Sequence, residues 1–402
     1  MDSKRIRSFA DLDIIAKHAE HVLTLFSGGL DSTYVLKELA ERRCRVTALV
    51  VNVGDGINRN DLYAIAQKFG ASLEIVDAQE EFVTSAVLPA IRAQAKYLGI
   101  YPISSSLSRP LLALTALRVA RQLGCDALIH TANQSQNSLR RLNGAIAQLG
   151  FPGWYGTPYE FSAMSREEKI ESLRTIGLQR FQARGISGDA NLWVREFESG
   201  SLDNPEAFWV PVSLFEWTAS SDVPINDDIA ITFESGTPVA LNGERMTPLE
   251  LIATLNRQAG SFGIGRYCGL EHLEQGEKVL EVREAPAATM LMDAYRHLET
   301  ATIDYEVLRE KSHQEQLWVR EAIEGRWFGR MRESADQFIC ATAQYVSGTV
   351  RYKLRQGAAD VCSIRADAPL YLTDRDSWEK SISRERSRMS LPAPQQQYMV
   401  TA

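Results

Sequence analysis

The chain has 402 residues, 45% of them hydrophobic, enough for two domains with real cores, and its net charge is −7. That acidic balance, with no basic run in the folded part, argues against a surface that tracks nucleic-acid phosphates. Five scattered cysteines (Cys44, Cys125, Cys268, Cys340, Cys362) form no C-x-x-C pair, and six histidines lack metal-ligand spacing. Reduced thiols in a cytoplasmic compartment and no zinc site are expected. Met1 to Glu20 is charged and lacks the apolar centre of a signal peptide, and no segment is long enough to span a membrane.

In chain order, Val22 to Phe26 reads as a buried strand, and Ser27-Gly28-Gly29-Leu30-Asp31-Ser32-Thr33 follows it. Tyr34 to Ala40 then reads as a helix, with Val35, Leu36 and Leu39 at helical spacing. Arg45–Asn52 is a strand ending at Gly54-Asp55-Gly56, followed by a helix from about Asp61 to Phe69 and the strand Ser72–Val76. A long helix is expected from Gln79 to Tyr97, and Pro110 suits the first turn of the next one, which carries Leu111, Leu114, Leu117 and Val119 towards Leu123. Asp126–His130 is another buried strand. Strands alternating with helices predict an α/β domain with a parallel sheet, whose ligands bind at the carboxyl ends of the strands. Ser27, Gly54 and Thr131 all fall at such ends.

A second, α+β region begins near Pro152. Asp228–Phe233 and Val239–Leu241 read as a hairpin around Glu234–Pro238, with Asn242-Gly243 as a further turn. A helix from Pro248 to about Gln258, a strand Glu277–Glu284 and a long helical region from Pro286 towards Gly325 follow. Thr349–Leu354 and Ala359–Ile364 pair around Gln356-Gly357, and Ser381 to Ala402 reads as a polar tail or an arm onto a neighbouring subunit. Gly263-Ile264-Gly265 with Gly269 has the wrong spacing, and no preceding strand, for a dinucleotide fingerprint. The organisation expected is an extension at 1–20, a nucleotide-binding domain at 21–175, a synthetase and oligomerisation domain at 176–372, and a tail at 373–402.

The stretch Ser27–Thr33 is the most informative one. A serine and two glycines between a buried strand and a helix form a concave set of N–H groups at a helix N-terminus, where donors and dipole both favour a phosphate. The Gly-Lys-Ser/Thr ending of a Walker loop is absent. The pattern resembles the pyrophosphate loop of enzymes that split ATP into AMP and pyrophosphate, in which the aspartate lies near a Mg²⁺–pyrophosphate.

Later segments choose among such enzymes. Tyr101-Pro102, Ser105 to Pro110, Ser187-Gly188-Asp189-Ala190-Asn191-Leu192-Trp193, Phe215-Glu216-Trp217, Gly263 to Arg266, Glu284 to Thr289 and Gly348-Thr349-Val350 occur in the order of argininosuccinate synthases, and the chain resembles that family from His21 to about Leu372. The resemblance implies an adenine nucleotide alpha hydrolase-like domain, a synthetase domain, a homotetramer, and condensation of citrulline with aspartate driven by ATP and Mg²⁺. It places ATP on Thr24, Ser27, Gly28, Gly29, Leu30, Asp31, Ser32, Val51 and Thr131, with Mg²⁺ near Asp31. It places the citrulline-like substrate on Tyr101, Ser106, Asn137, Arg141, Ser187 and Glu271. Glu271 is suited to pair with an α-ammonium, and the hydroxyls with Arg141 to take oxygen atoms.

Two positions of that pocket depart from the family. Glu196 stands where a small hydroxyl residue is usual and Arg283 where tyrosine is, and the two can bind charged substrate groups or pair with each other. A larger departure is Thr131-Ala132-Asn133-Gln134-Ser135-Gln136-Asn137-Ser138, which replaces a Gly-Ala-Thr-Gly-Lys-Gly-Asn-Asp run whose threonine, asparagine and aspartate contact the amine substrate. Asn133, Asn137, Ser138 and Arg109 are the remaining candidates for that second substrate.

The expectation is an AMP-forming ligase that keeps the activation chemistry and joins altered substrates. An ordinary argininosuccinate synthase with a tolerated loop variant is the alternative. An ammonia-using or tRNA-modifying relative is disfavoured by the acidic charge and the missing C-x-x-C pair. A catalytically inactive binding relative is disfavoured by the intact Ser27, Gly28, Gly29 and Asp31. His130 is expected to be a packed histidine, and Trp154, Trp193 and Trp327 packing groups.

Overall fold

Residues 4–54, 56–181, 186–219 and 227–389 are described by the structure, a computed structural model. The chain enters through β1 (Arg5–Ile6) and α1 (Phe9–His18), then runs through β2 (Val22–Leu25), α2 (Leu30–Glu41), β3 (Val46–Asn52), α3 (Arg59–Lys68) and β4 (Ser72–Asp77). A continuous helical stretch follows as α4 (Gln79–Phe82), a π-helical turn Val83–Val87 and α5 (Leu88–Arg92). A short hairpin of β5 (Lys96–Tyr97) and β6 (Tyr101–Pro102) leads to α6 (Ser105–Leu123), β7 (Ala127–Ile129), α7 (Ser138–Gln148), β8 (Trp154–Gly156) and α8 (Arg166–Arg174).

The order β1-β8-β7-β2-β3-β4 makes one sheet, and every pair in it is parallel. Its central strands are apolar without alternation because helices cover both faces. Residues 5–18 therefore pack as part of this domain. Ile6, Leu12 and Ile15 are fully buried, and β1 pairs with β8 where Gly156, at φ +140°, leaves room for the Ile6 carbonyl. A Cβ on Gly156 would lie 2.2 Å from that oxygen.

Two helix boundaries differ from expectation. The helix expected to reach Tyr97 stops at Arg92, because Gln94, Leu98 and Gly99 adopt left-handed backbone and fold Tyr97 back into the hairpin. Pro110 lies inside α6, which begins at Ser105; buried Ser105, Ser106 and Ser108 supply its first turns, and serine-rich sequence does not advertise a helix.

The second region contributes β9 (Ser187–Ala190), β10 (Arg195–Glu198), β11 (Asp227–Glu234), β12 (Thr237–Leu241), β13 (Glu244–Arg245), α9 (Pro248–Ser261), β14 (Arg266–His272) and β15 (Lys278–Glu284). It continues with α10 (Pro286–Thr302), α11 (Tyr305–Ile323), α12 (Arg330–Ala343), β16 (Gly348–Arg355), β17 (Ala358–Ala366) and α13 (Arg375–Met389). One antiparallel sheet has the order β14-β15-β10-β9 and another β13-β12-β11-β16-β17. The β11–β12 turn is Ser235-Gly236, both at positive φ, as a tight hairpin requires. The helical region after Pro286 is divided at Asp304, whose side chain caps α11 by accepting from the Val307 amide. The segment read as a tail from Ser381 is helical as far as Met389, and residues 390–402 lie outside the described residues. A single apolar cluster joins Phe82, Tyr101 and Leu107 of the first region to Trp193, Phe262 and Met290 of the second, so the two share a core.

Candidate functional site

The candidate phosphate loop is built by β2 and α2. Gly28 has φ +71°, and a Cβ there would sit 2.6 Å from Leu62 Cδ2, so glycine is required for both conformation and space. Ser32 Oγ donates to the Gly29 carbonyl at 3.2 Å and Ser27 Oγ accepts from the Gly29 amide at 3.3 Å, which shapes the turn from within. The first amides of α2 have no intrahelical acceptor and open towards the loop. Ser27 is exposed while Leu30 is buried, so Leu30 can serve a nucleotide only by its main chain. Thr24 is fully buried in β2 and its hydroxyl donates to the Leu25 carbonyl at 3.4 Å; Val51 and Thr131 are half-buried.

Asp31, in the first turn of α2, carries an ion pair that sequence reasoning missed: Lys169 of α8 lies 2.6 Å from its Oδ1. Tyr159 donates from its hydroxyl to the Asp31 carbonyl at 3.1 Å, and burial raises that phenol far above its ordinary range. No cluster of three or more acidic, histidine or cysteine residues able to hold a metal exists among the described residues. A magnesium ion would therefore rely on Asp31 together with the phosphates it accompanies, the usual manner for that ion.

A second group of polar residues covers one face of the β14-β15-β10-β9 sheet. Alternation brings Ser187 and Asp189 of β9, Glu196 and Glu198 of β10, Glu281 and Arg283 of β15, and Glu271 of β14 to that face, since Glu196 pairs with both Asp189 and Arg283, and Arg283 with Tyr267. Phe197, Leu280 and Val282 take the opposite side in a small apolar cluster. The first-substrate candidates Tyr101, Asn137, Arg141, Glu196, Glu271 and Arg283 do meet here, all buried.

Glu271 is 2% exposed and both its oxygens are taken. Oε1 accepts from Arg141 Nη2 at 2.5 Å and Asn137 Nδ2 at 2.9 Å; Oε2 accepts from Arg283 Nη2 at 3.0 Å and the Tyr101 hydroxyl at 3.2 Å. Burial alone would push this carboxyl up, but Arg141 and Arg283 overcome it and hold it down at about 2.

Arg283 Nη2 is also 3.1 Å from Glu196 Oε2 and 3.2 Å from Glu281 Oε2, and its guanidinium lies over the Tyr101 ring at 4.2 Å. The two positions expected to depart from the family pattern thus pair with each other. The contact to Glu196 is ionic without hydrogen-bond alignment, which leaves Glu196 Oε2 buried and unbonded. Burial raises the carboxyls of Glu196, Glu198 and Glu281 despite the arginines.

Ser105, not Ser106, receives Arg141: Nη1 donates to Ser105 Oγ at 2.7 Å. Arg141's neighbour Arg140 turns instead to Glu324, at 3.0 Å.

Arg109 joins this face to the loop after β7. Its Nε donates to Ser138 Oγ at 3.0 Å and its Nη2 pairs with Asp189. Within the loop, Asn133 Oδ1 accepts from Ser135, and Gln136 Nε2 donates to Glu198 at 3.0 Å. Asn133 and Ser138 are therefore both engaged within the protein. His130 is fully buried with Nε2 3.0 Å from Asn143 Oδ1, and burial lowers it to about 4, as a packed histidine should behave. Trp193 and Trp327 are buried in the shared core, and Trp154 packs, partly buried, against a separate apolar cluster of the first region.

Asp189 and Glu198 were not singled out from the sequence, although each stands two residues from a candidate, Ser187 and Glu196, the spacing that shares a strand face, whereas Lys169 sits in a charged helix far along the chain, with no local signal.

Residues 21–179 match the family model described as the arginosuccinate synthase N-terminal HUP domain, and residues 186–390 that of the arginosuccinate synthase C-terminal domain. The argininosuccinate synthase of Synechococcus sp. (strain WH7803) is 35% identical over 368 residues, covering 90% of this chain and 92% of that protein. That of Rubrobacter xylanophilus is 34% identical over 371 residues, covering 91% and 90%. The NH3-dependent NAD synthetase of Campylobacter jejuni overlaps 42% of this chain and 70% of its own at 17% identity, with a TM-score of 0.29, too slight to bear on function. With a parallel-sheet nucleotide domain, a mixed helical and sheet domain and relatives matched along nearly the whole length, the chain belongs to the argininosuccinate synthase family, ATP-dependent ligases that form C–N bonds as ATP is split to AMP and pyrophosphate.

Proposed function

We propose that this ligase activates a ureido or similar carbonyl oxygen of an amino-acid-like substrate as its adenylate, displaces AMP with an amine, and uses substrates other than citrulline and aspartate. The observation that carries the reading is the state of Glu271: its oxygens are satisfied by Arg141, Asn137, Arg283 and Tyr101, so an incoming α-ammonium finds no free carboxylate there. A buried acceptor left without a hydrogen bond in the pocket is Glu196 Oε2. Displacing a buried guanidinium from a buried carboxylate costs several kcal/mol, about 3–5 when one partner is removed outright. A citrulline-sized zwitterion would have to meet that cost.

The chemistry asks for positioning and charge neutralisation. A carbonyl oxygen attacks the α-phosphorus, the bond to pyrophosphate breaks, and the departing charge is taken by the amides of Gly28 to Ser32. Asp31 would hold the Mg²⁺ that accompanies the phosphates, and that ion supplies further charge neutralisation when bound. An unprotonated amine then attacks the activated carbon and AMP leaves. Small amino-acid-like substrates suit the charged and polar side chains of this sheet face, and a homotetramer is expected from the family.

Ordinary argininosuccinate synthesis is the second reading, favoured by relatives of that name matched over 90% of the chain. ATP–pyrophosphate exchange decides between them. Exchange is expected with a ureido or amide compound other than citrulline. Efficient citrulline-dependent exchange, followed by argininosuccinate formation with aspartate, would establish the second reading.

A further inference from the structure

An acid in the first turn of a helix suits the helix dipole, but Asp31 also lies in the loop that receives phosphate, where its charge repels the ligand. The loop segments Ser27–Thr33 and Thr131–Ser138 contain no lysine, arginine or histidine to offset it. The offsetting charge comes from elsewhere in the fold. Lys169 projects from α8, whose start is fixed by reciprocal hydrogen bonds between Ser165 and Glu168, and α8 packs on α2. Its side chain is only 9% exposed, its Nζ is 2.6 Å from Asp31 Oδ1, and it lies 4.9 Å from the centre of the Tyr159 ring. Tyr159 in turn holds the Asp31 carbonyl.

Burying a lysine is costly, so its position is specified by this arrangement. An ammonium has three donors, and among the described residues Asp31 is the one oxygen acceptor of Lys169, so donors remain for an oxyanion brought to the loop.

We propose that Lys169 is a cation of the phosphate site, neutralising Asp31 when no metal is bound and giving the loop affinity for inorganic pyrophosphate without Mg²⁺. The proposal rests on the loop being the phosphate site. When Asp31 instead serves a divalent cation, that metal supplies the positive charge at the phosphates, so the lysine matters most when metal is scarce.

The test is calorimetric titration of inorganic pyrophosphate into the full-length protein, in EDTA and in excess MgCl₂. The unaltered protein is expected to bind in both. K169M should lose on the order of tenfold or more in EDTA and much less in magnesium, while K169R keeps most of the affinity. D31N, which removes the repelling charge and leaves Lys169 in place, should bind at least as tightly as the unaltered protein in EDTA. Equal binding by K169M and the unaltered protein in EDTA overturns the proposal, as does binding by the unaltered protein only with magnesium, or an equal loss for K169M in both buffers. No binding in either buffer overturns the phosphate reading of the loop itself. Should K169M fail to fold, D31N decides: weaker binding in EDTA counts against Lys169.

Discussion

Replacing Arg283 by methionine would strip a cation from a sheet face that carries Glu196, Glu271 and Glu281 within 3.0–3.2 Å of its Nη2. Glu271 keeps Arg141, Asn137 and Tyr101, but Glu196 and Glu281 lose the arginine that opposes their burial. The Pro102 carbonyl, which accepts from Arg283 Nη1 at 2.9 Å, is orphaned as well. Breaking a buried pair from one side costs about 3–5 kcal/mol near neutral pH.

The sign of the pH dependence follows from proton counts. Glu196 and Glu281 have raised folded pKa values, so above the unfolded value the folded state binds more protons and stability falls as pH rises through the folded values. Methionine at position 283 raises both further, so the penalty should be larger at about pH 8 than at about pH 5. Glu271 acts in the opposite sense: its contribution is present above its unfolded value and is lost only as pH falls towards about 2. E196Q is the control, because it removes a carboxylate with an unbonded buried oxygen and should cost less than about 1 kcal/mol or stabilise. Urea unfolding of the two variants at both pH values reads these differences. Equal costs for R283M and E196Q, or a penalty for R283M that does not change with pH, would refute the reasoning.

Gly28→Ala should remove ATP–pyrophosphate exchange while leaving the far-ultraviolet spectrum unchanged, because its Cβ meets Leu62 Cδ2 at 2.6 Å and the loop must deform. Ile6→Ala should cost about 2–5 kcal/mol in chemical denaturation, since Ile6 is fully buried beneath a parallel strand; a cost near zero would show that the first residues are dispensable to the domain. Asp189→Asn should loosen Arg109 from the sheet face, seen as a rise in KM for the amine substrate larger than any fall in thermal midpoint.

Much of the first domain was readable because a doubly covered parallel sheet writes itself as apolar strands alternating with helices, and Val22–Leu25 followed by Ser27-Gly28-Gly29 left little else to fold. What stayed hidden depends on distant partners. The two-residue strand Arg5–Ile6 exists because β8 pairs with it, and nothing in charged residues 1–20 signals a strand. The stop at Arg92 depends on left-handed Gln94 and Leu98, residue types that do not mark such turns. In the candidate site, Arg283 and Glu196 were visible as departures from a family pattern. Their mutual pairing, and the saturation of Glu271 that results, required the register of β10 against β15. Lys169 could be connected to Asp31 only through the packing of α8 on α2.

The central claim, that the loop Ser27–Thr33 grips the leaving pyrophosphate of ATP, is tested most directly by the fate of the nucleotide during turnover. With ATP labelled separately at the α and γ positions, Mg²⁺ and a panel of ureido and amine compounds, the account predicts AMP and intact pyrophosphate in equal amounts, both lost in Gly28→Ala. Release of ADP and orthophosphate would contradict it.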